Sequence, residues 1–212
     1  MRTKPNSNRS KCKHHSLLTG LLLILCLLLA GSGFLYLRLR NGVQVNAPQD
    51  RNILPAAEII RYRQDDTRWA EDQLGASAYT MRSSGCLVSC IAAALSMEGH
   101  GNETPGTLNQ KFSSNRVYDT EGNLQWGSLT ESGDYRADVF PEVSTAYINN
   151  CLTENRYPIV RVRIRGFGSF HYVLIVGARN GEYLCMDPLL DNIVPLSVYG
   201  RRVYAVRCVS GR

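Results

Sequence analysis

The sequence predicts an α+β domain behind a single apolar segment of membrane length. Three observations carry that expectation. Leu17 to Leu37 is almost unbroken hydrocarbon, the stretch from Cys86 to about Asn155 shows helical periods and helix punctuation, and from Ile159 the pattern switches to strands. A chain of 212 residues has room for one ordinary domain plus an appendage. Its 44% hydrophobic and 20% charged content suits a domain with a true core.

Twenty-one residues at about 1.5 Å each span roughly 30 Å, the thickness of a bilayer's hydrocarbon core. Residues 17–37 therefore read as a transmembrane helix or signal anchor. Five Lys/Arg precede it (Arg2, Lys4, Arg9, Lys11, Lys13) and two follow (Arg38, Arg40). That bias places residues 1–16 in the cytoplasm as a basic tail and the C-terminal domain outside the cell membrane. A cleaved signal peptide is the alternative, given the small residues at Ala30–Gly33, and it makes the domain a secreted one. The net charge of +6 belongs to this segment: the other 17 Lys/Arg face 18 Asp/Glu over residues 41–212. A nucleic-acid partner is thereby disfavoured.

Residues 38–56, rich in Asn, Gln, Asp and Pro, read as a linker, and residues 57–212 as the domain. Cys86 to Glu98 is an apolar helical run between Gly85 and Gly99. Thr104-Pro105 is an N-cap and first-turn proline opening a helix through Phe112. Pro141 is expected to open another through about Asn155, burying Val143, Tyr147, Ile148, Cys151 and Leu152. Ile159–Arg165 alternates arginine with Val160, Val162 and Ile164, a half-buried strand. Tyr172–Gly177 is apolar throughout, like a central strand covered on both faces. Asn180-Gly181 is a hairpin turn leading to Tyr183–Asp187. Ile193–Leu196 and Val203–Val209 complete a sheet of about five strands.

Four residues carry candidate chemistry. Cys86 opens an apolar helix, where the positive end of the helix dipole favours a thiolate. His171 enters the central strand after the Gly166-Phe167-Gly168 loop. Asp187, followed by Pro188, ends the partner strand. Gln64 lies upstream as an amide donor for an oxyanion. A Cys–His pair activates the thiol, and a carboxylate on the other imidazole nitrogen completes a triad. Three members taken singly have plainer readings (core thiol, structural histidine, strand terminator), and Gln64 alone says nothing.

Together, Gln64-Asp65-Asp66-Thr67-Arg68-Trp69-Ala70, Leu74-Gly75, Ser84-Gly85-Cys86, His171 to Gly177 and Asp187-Pro188 resemble stand-alone relatives of the bacterial bacteriocin-processing peptidases. Those cleave after double-glycine leaders. The resemblance runs from about Arg61 to the C-terminus. It implies the papain-like cysteine peptidase fold, with a helical N-terminal half bearing the nucleophile and an antiparallel C-terminal half. It further implies Cys86 as nucleophile, His171 as base, Asp187 as orienting residue and Gln64 as oxyanion-hole amide. The substrate is then a peptide or protein, and no cofactor is required. A peptidoglycan amidase or endopeptidase of the related cell-wall type, and an inactive peptide-binding domain, are the rival readings.

Two features cut across the resemblance. Relatives follow the cysteine with Gly or Ala and then Pro, whereas Leu87-Val88 stands here. Moreover, an ideal two-residue turn at Asn180-Gly181 puts Leu174 opposite Asp187 and turns His171 to the other face. The triad then needs a bulge, a longer loop, or Asp187 turning back beyond the strand end, with Asp191 and Asn192 as substitutes. Cys90, Cys151, Cys185 and Cys208 read as free buried thiols rather than a disulfide framework. The stripe Arg161/Arg163/Arg165 reads as a solvated strand face, with an acidic substrate as the less common alternative. His14-His15 and His100 give poor support for metal binding.

Overall fold

A computed structural model describes residues 8–51, 54–55, 58–99 and 103–212, with side chains from residue 20 onward. Arg2, Lys4 and His100, and the side chains of Arg9, Lys11, Cys12, Lys13, His14 and His15, lie outside the described residues. The chain divides into two units, residues 1–40 and 41–212.

The first unit is one helix, α1 (Asn8–Leu39). Its Gly20–Leu39 stretch has a mean hydropathy of 2.4 and no buried residue, and it is long and apolar enough to cross a membrane. Leucines from Leu21 to Leu37 are exposed around the whole circumference. A helix whose apolar residues are exposed on every side suits lipid rather than water.

The second unit is α+β. Its elements are β1 (Val43–Gln44), α2 (Met81–Ser84), α3 (Cys86–Met97), α4 (Pro105–Ser114), α5 (Trp126–Glu131), β2 (Tyr135–Val139), α6 (Thr145–Thr153), β3 (Pro158–Arg163), β4 (Phe170–Arg179), β5 (Glu182–Met186), β6 (Val194–Pro195), β7 (Arg202–Val203) and β8 (Ala205–Gly211). Six strands form an antiparallel sheet in the order β2-β8-β3-β4-β5-β6, while β1 pairs with β7. Helix α3 packs on one face, against Ile159, Leu174, Val176 and Met186. Ile148 and Leu152 of α6, with Val45 and Ala47, cover the other face over Val160, Val162, Val173 and Ile175. Every α3 residue from Val88 to Leu95 is buried, which is why its sequence is apolar all round.

Several local expectations are corrected. The segment read as linker is built into the domain from Val43, with Val45 only 1% exposed. Strand β2 was not expected, because Tyr-Arg-Ala-Asp-Val has no clean alternation; it pairs as an edge strand with β8. Pro141 does not open α6. Ser144 caps that helix by accepting from the Ala146 N–H at 3.1 Å, and Phe140 stacks on Tyr147 with ring centroids 4.4 Å apart. The arginine stripe is not a solvated face either: Arg163 is 8% exposed, and Arg165 leaves the strand in a 3-10 turn at φ 52°. Cys151 of α6 and Cys208 of β8 form a disulfide, whereas Cys90 and Cys185 are buried free thiols as expected.

The disulfide closes 57 residues of chain, and loop-closure entropy for that length stabilises the fold by about 4 kcal/mol. Denaturant unfolding of the full chain should therefore give a lower midpoint in dithiothreitol and in Cys151→Ser/Cys208→Ser. Equal midpoints for wild type and the double variant would show that the bridge contributes nothing.

Candidate active site

The site begins with the junction of two helices. Thr80 and Ser83 form a capping box that starts α2, and the chain turns at Gly85 into α3. A Cβ at residue 85 would lie 2.5 Å from the Met81 carbonyl oxygen and 2.8 Å from its Cα, so only glycine fits. The Ser89 N–H donates to the Gly85 carbonyl at 3.0 Å. Cys86 is thus the first residue of a helix buried from Val88 to Leu95, at its positive end, and is itself half-exposed on a cleft.

His171 lies near the start of β4. Its Nε2 is 2.7 Å from Oδ1 of Asp187, and Cys86 shares the same cleft, where its charge favours the imidazolium. What brings the carboxylate to the histidine is a β-bulge. The hairpin pairs Arg179 with Glu182, Ala178 with Tyr183 and Gly177 with Leu184, as a two-residue turn requires. The register then slips at Val176, so that Ile175 faces Cys185 and Leu174 faces Met186. One extra residue on β4 reverses the face of everything beyond it. Asp187, just past the strand end, consequently falls on the His171 side. Asp191 takes no part; it pairs with Arg63 at 2.9 Å on the surface.

Asp187 is held from three directions. His171 is one; the Leu189 N–H donates to Oδ1 at 2.7 Å, and the Tyr199 hydroxyl donates to Oδ2. Burial opposes ionisation of Asp187, and these hydrogen bonds outweigh it, so its pKa is lowered. Burial likewise opposes the imidazolium, yet the hydrogen bond to Asp187 and the nearby Cys86 carry the His171 pKa up to about 9. Tyr199 is pushed above the ordinary phenol range by burial and by the carboxylate it bonds. Sequence reasoning missed Tyr199 because no spacing rule ties a tyrosine in a 3-10 turn to an aspartate twelve residues earlier.

Gln64 is brought beside the pair by backbone pairing. Its N–H donates to the Pro188 carbonyl at 3.0 Å, fastening it to the Asp187-Pro188 corner. Trp69, 2% exposed, anchors the preceding turn by donating Nε1–H to the Arg63 carbonyl at 2.8 Å. The Gln64 side chain donates one Nε2 hydrogen to the Arg82 carbonyl at 2.7 Å, which leaves its second hydrogen uncommitted among the described residues. Gln64, Cys86 and His171 all line one cleft of about 620 Å³. Leu87 and Val88 line it too, which makes the wall beside the thiol apolar. Among the described residues no cluster of three or more His, Cys, Asp or Glu is arranged to hold a metal ion.

The histidine shift fixes a sign. A pKa raised from 6.5 to about 9 means a stabilising contribution fully present below pH 6.5 and lost as pH rises through 9. An NMR titration of His171 should show a midpoint near 9. In Asp187→Asn it should fall sharply, since burial then opposes the charge with less to offset it. A midpoint unchanged by Asp187→Asn would show that the carboxylate does not set the charge.

Set beside models of known protein families and beside curated protein sequences, the chain matches none.

Proposed function

We propose that this protein is a cysteine peptidase of papain-like fold, held at the cell membrane by α1 with residues 41–212 outside. The observation that carries the reading is His171 bonded to buried Asp187 and facing one cleft with Cys86, which Gln64 also lines. A nucleophile at the first turn of a buried helix, with its base on an antiparallel sheet, supports the papain-like assignment. The charge bias flanking α1 supports an external domain. So does the Cys151–Cys208 disulfide, which persists in oxidising compartments.

The chemistry follows from the hydrogen bonds. Asp187 holds the Nε2–H, so Nδ1 faces Cys86 and takes the thiol proton. The thiolate attacks the scissile carbonyl, forming a C–S bond, and the oxyanion is met by the Cys86 backbone N–H and the free Gln64 Nε2–H. Collapse breaks the C–N bond as the imidazolium gives its proton to the leaving amine. Water, deprotonated by the same imidazole, then cleaves the thioester and restores the thiol. The Tyr199 hydroxyl bonds the carboxylate oxygen that His171 leaves free, and so orients Asp187.

Incubating the purified chain with a randomised peptide pool, with mass-spectrometric detection, should reveal new termini. Cys86→Ala should abolish them, and Gln64→Ala should lower kcat/KM by about 10²–10³. A cell-wall hydrolase of similar Cys–His order has no role for Gln64. Release from peptidoglycan that is indifferent to Gln64→Ala, without peptide cleavage, would transfer the assignment to that class.

A further inference from the structure

Two short stretches of the domain carry charge of one sign. Residues 158–170 and 196–207 hold six arginines (Arg161, Arg163, Arg165, Arg201, Arg202 and Arg207) and no Asp or Glu. The rest of residues 41–212 holds 11 Lys/Arg, the 17 less these six, against 18 Asp/Glu. The fold joins both stretches to the first residues of the domain. A Cβ at Gly42 would lie 2.6 Å from Arg202 and 2.7 Å from the Tyr204 ring, and Arg202 Nη1 donates to the Gly42 carbonyl at 2.8 Å. The Tyr204 ring meets Phe170 edge to face with centroids 5.1 Å apart, and the Arg161 guanidinium stands 4.4 Å from the Phe170 centroid.

Beyond Phe170 the β3–β4 connection closes tightly. The Gly168 N–H donates to the Ile164 carbonyl at 2.8 Å, and a Cβ at residue 168 would lie 2.7 Å from that oxygen. A Cβ at Gly166 would lie 3.7 Å from the Tyr199 carbonyl oxygen, which seats the tip on the 3-10 turn Leu196–Tyr199. The tip presents Phe167, 57% exposed, beside exposed Arg165. Seven large apolar side chains are exposed among the described residues of 41–212, and Val43, Phe167, Phe170 and Val198, all in these segments, are four of them. Exposed apolar groups gathered among cations mark an interaction surface. Three of the six arginines are committed, Arg163 to the Gly168 carbonyl, Arg201 to Glu182 and Arg207 to the Val206 carbonyl. Among the described residues, Arg161, Arg165 and Arg202 pair with no carboxylate.

The point where the chain enters this surface identifies its partner. Helix α1 ends at Leu39 and β1 begins at Val43. Four residues reach about 14 Å at most, so a helix that crosses a bilayer releases β1 within reach of the headgroups. We propose that the tip at residues 164–170 and the β1–β7 edge form a face that docks on an anionic phospholipid bilayer. Phe167 enters the interface, and Arg165, Arg202 and Arg161 meet lipid phosphates. The inference rests on reading α1 as a membrane-spanning helix and is independent of the peptidase chemistry. A soluble polyanion would engage the arginines but leave Phe167 in water. Ile164, Ser169 and Phe170 also line the Cys86 cleft, so docking sets one rim of that cleft at the lipid surface.

The full chain, reconstituted in nanodiscs of phosphatidylcholine brominated on its acyl chains, tests the proposal. Phe167→Trp and Phe34→Trp add a fluorophore at the tip and in α1, and quenching is read beyond that of wild type, with and without phosphatidylglycerol. Phe167→Trp should be quenched, and more strongly with phosphatidylglycerol. Adding Arg165→Gln should lower the docked-to-undocked ratio about fivefold, and Arg165→Lys, which keeps the charge, should retain it. An unquenched Phe167→Trp would overturn the docking face, and a quenched Phe34→Trp beside it would leave the anchor standing. Quenching at residue 167 that ignores both phosphatidylglycerol and Arg165→Gln would overturn the face as well. Lipid-dependent quenching at residue 167 without quenching at residue 34 would sink the anchor reading and leave the lipid-binding face.

Discussion

The hydrogen bond between His171 and Asp187 joins two ionisable side chains that are 3% and 4% exposed. Neither charge is tolerable alone at that depth, because desolvation costs several kcal/mol per ion. Each is therefore retained only with the other in place, and the surrounding structure is arranged to guarantee it. The register slip at Val176 sets the face, the Leu189 N–H and Tyr199 hydroxyl take up the remaining carboxylate capacity, and the Gln64 backbone ties the corner at Pro188 to the opposite wall. Removing any of these leaves a buried charge short of a partner.

The thiol is positioned by a different constraint. Helix α3 is apolar on all sides and fills the space above the sheet, so its N-terminus cannot shift without disturbing the main core. Gly85 lets α2 approach so closely that Cys86 has one available place, at the cleft end of the helix. Rigid helix and bulged hairpin thus meet at one cleft, which Cys86 and His171 both line. Preorganisation of this kind lets a weak nucleophile act without reorganising its surroundings during the reaction.

Much of this was legible in the sequence, and the failures have identifiable causes. The helix from Cys86, the cap at Thr104-Pro105 and the Asn180-Gly181 turn depend on local chemistry, and the structure reproduces them. Asn180 and Gly181 both take the positive φ that such a turn demands, 53° and 76°. The alternation of Ile159–Arg165 gave the strand but misjudged its environment. Arginine reads as solvent-facing, while here Arg161 and Arg163 both stand against the ring of Phe170 and Arg163 is buried. The bulge was required by the triad and by nothing local, since Val-Leu-Ile-Val carries no mark of which residue is extra. The Cys151–Cys208 bridge joins a helix to a strand, a pairing that spacing along the chain cannot select.

The central claim is that His171 and Cys86 form an activated pair. Its most direct test is the pH dependence of Cys86 alkylation by iodoacetamide in the full chain, against Cys86→Ala and His171→Ala. The account predicts rapid labelling below about pH 7, absent in Cys86→Ala and displaced towards the ordinary thiol range, near pH 8.5, in His171→Ala. Uniformly slow labelling with an ordinary thiol profile in the wild type would contradict it, and would leave the cleft a binding site without a nucleophile.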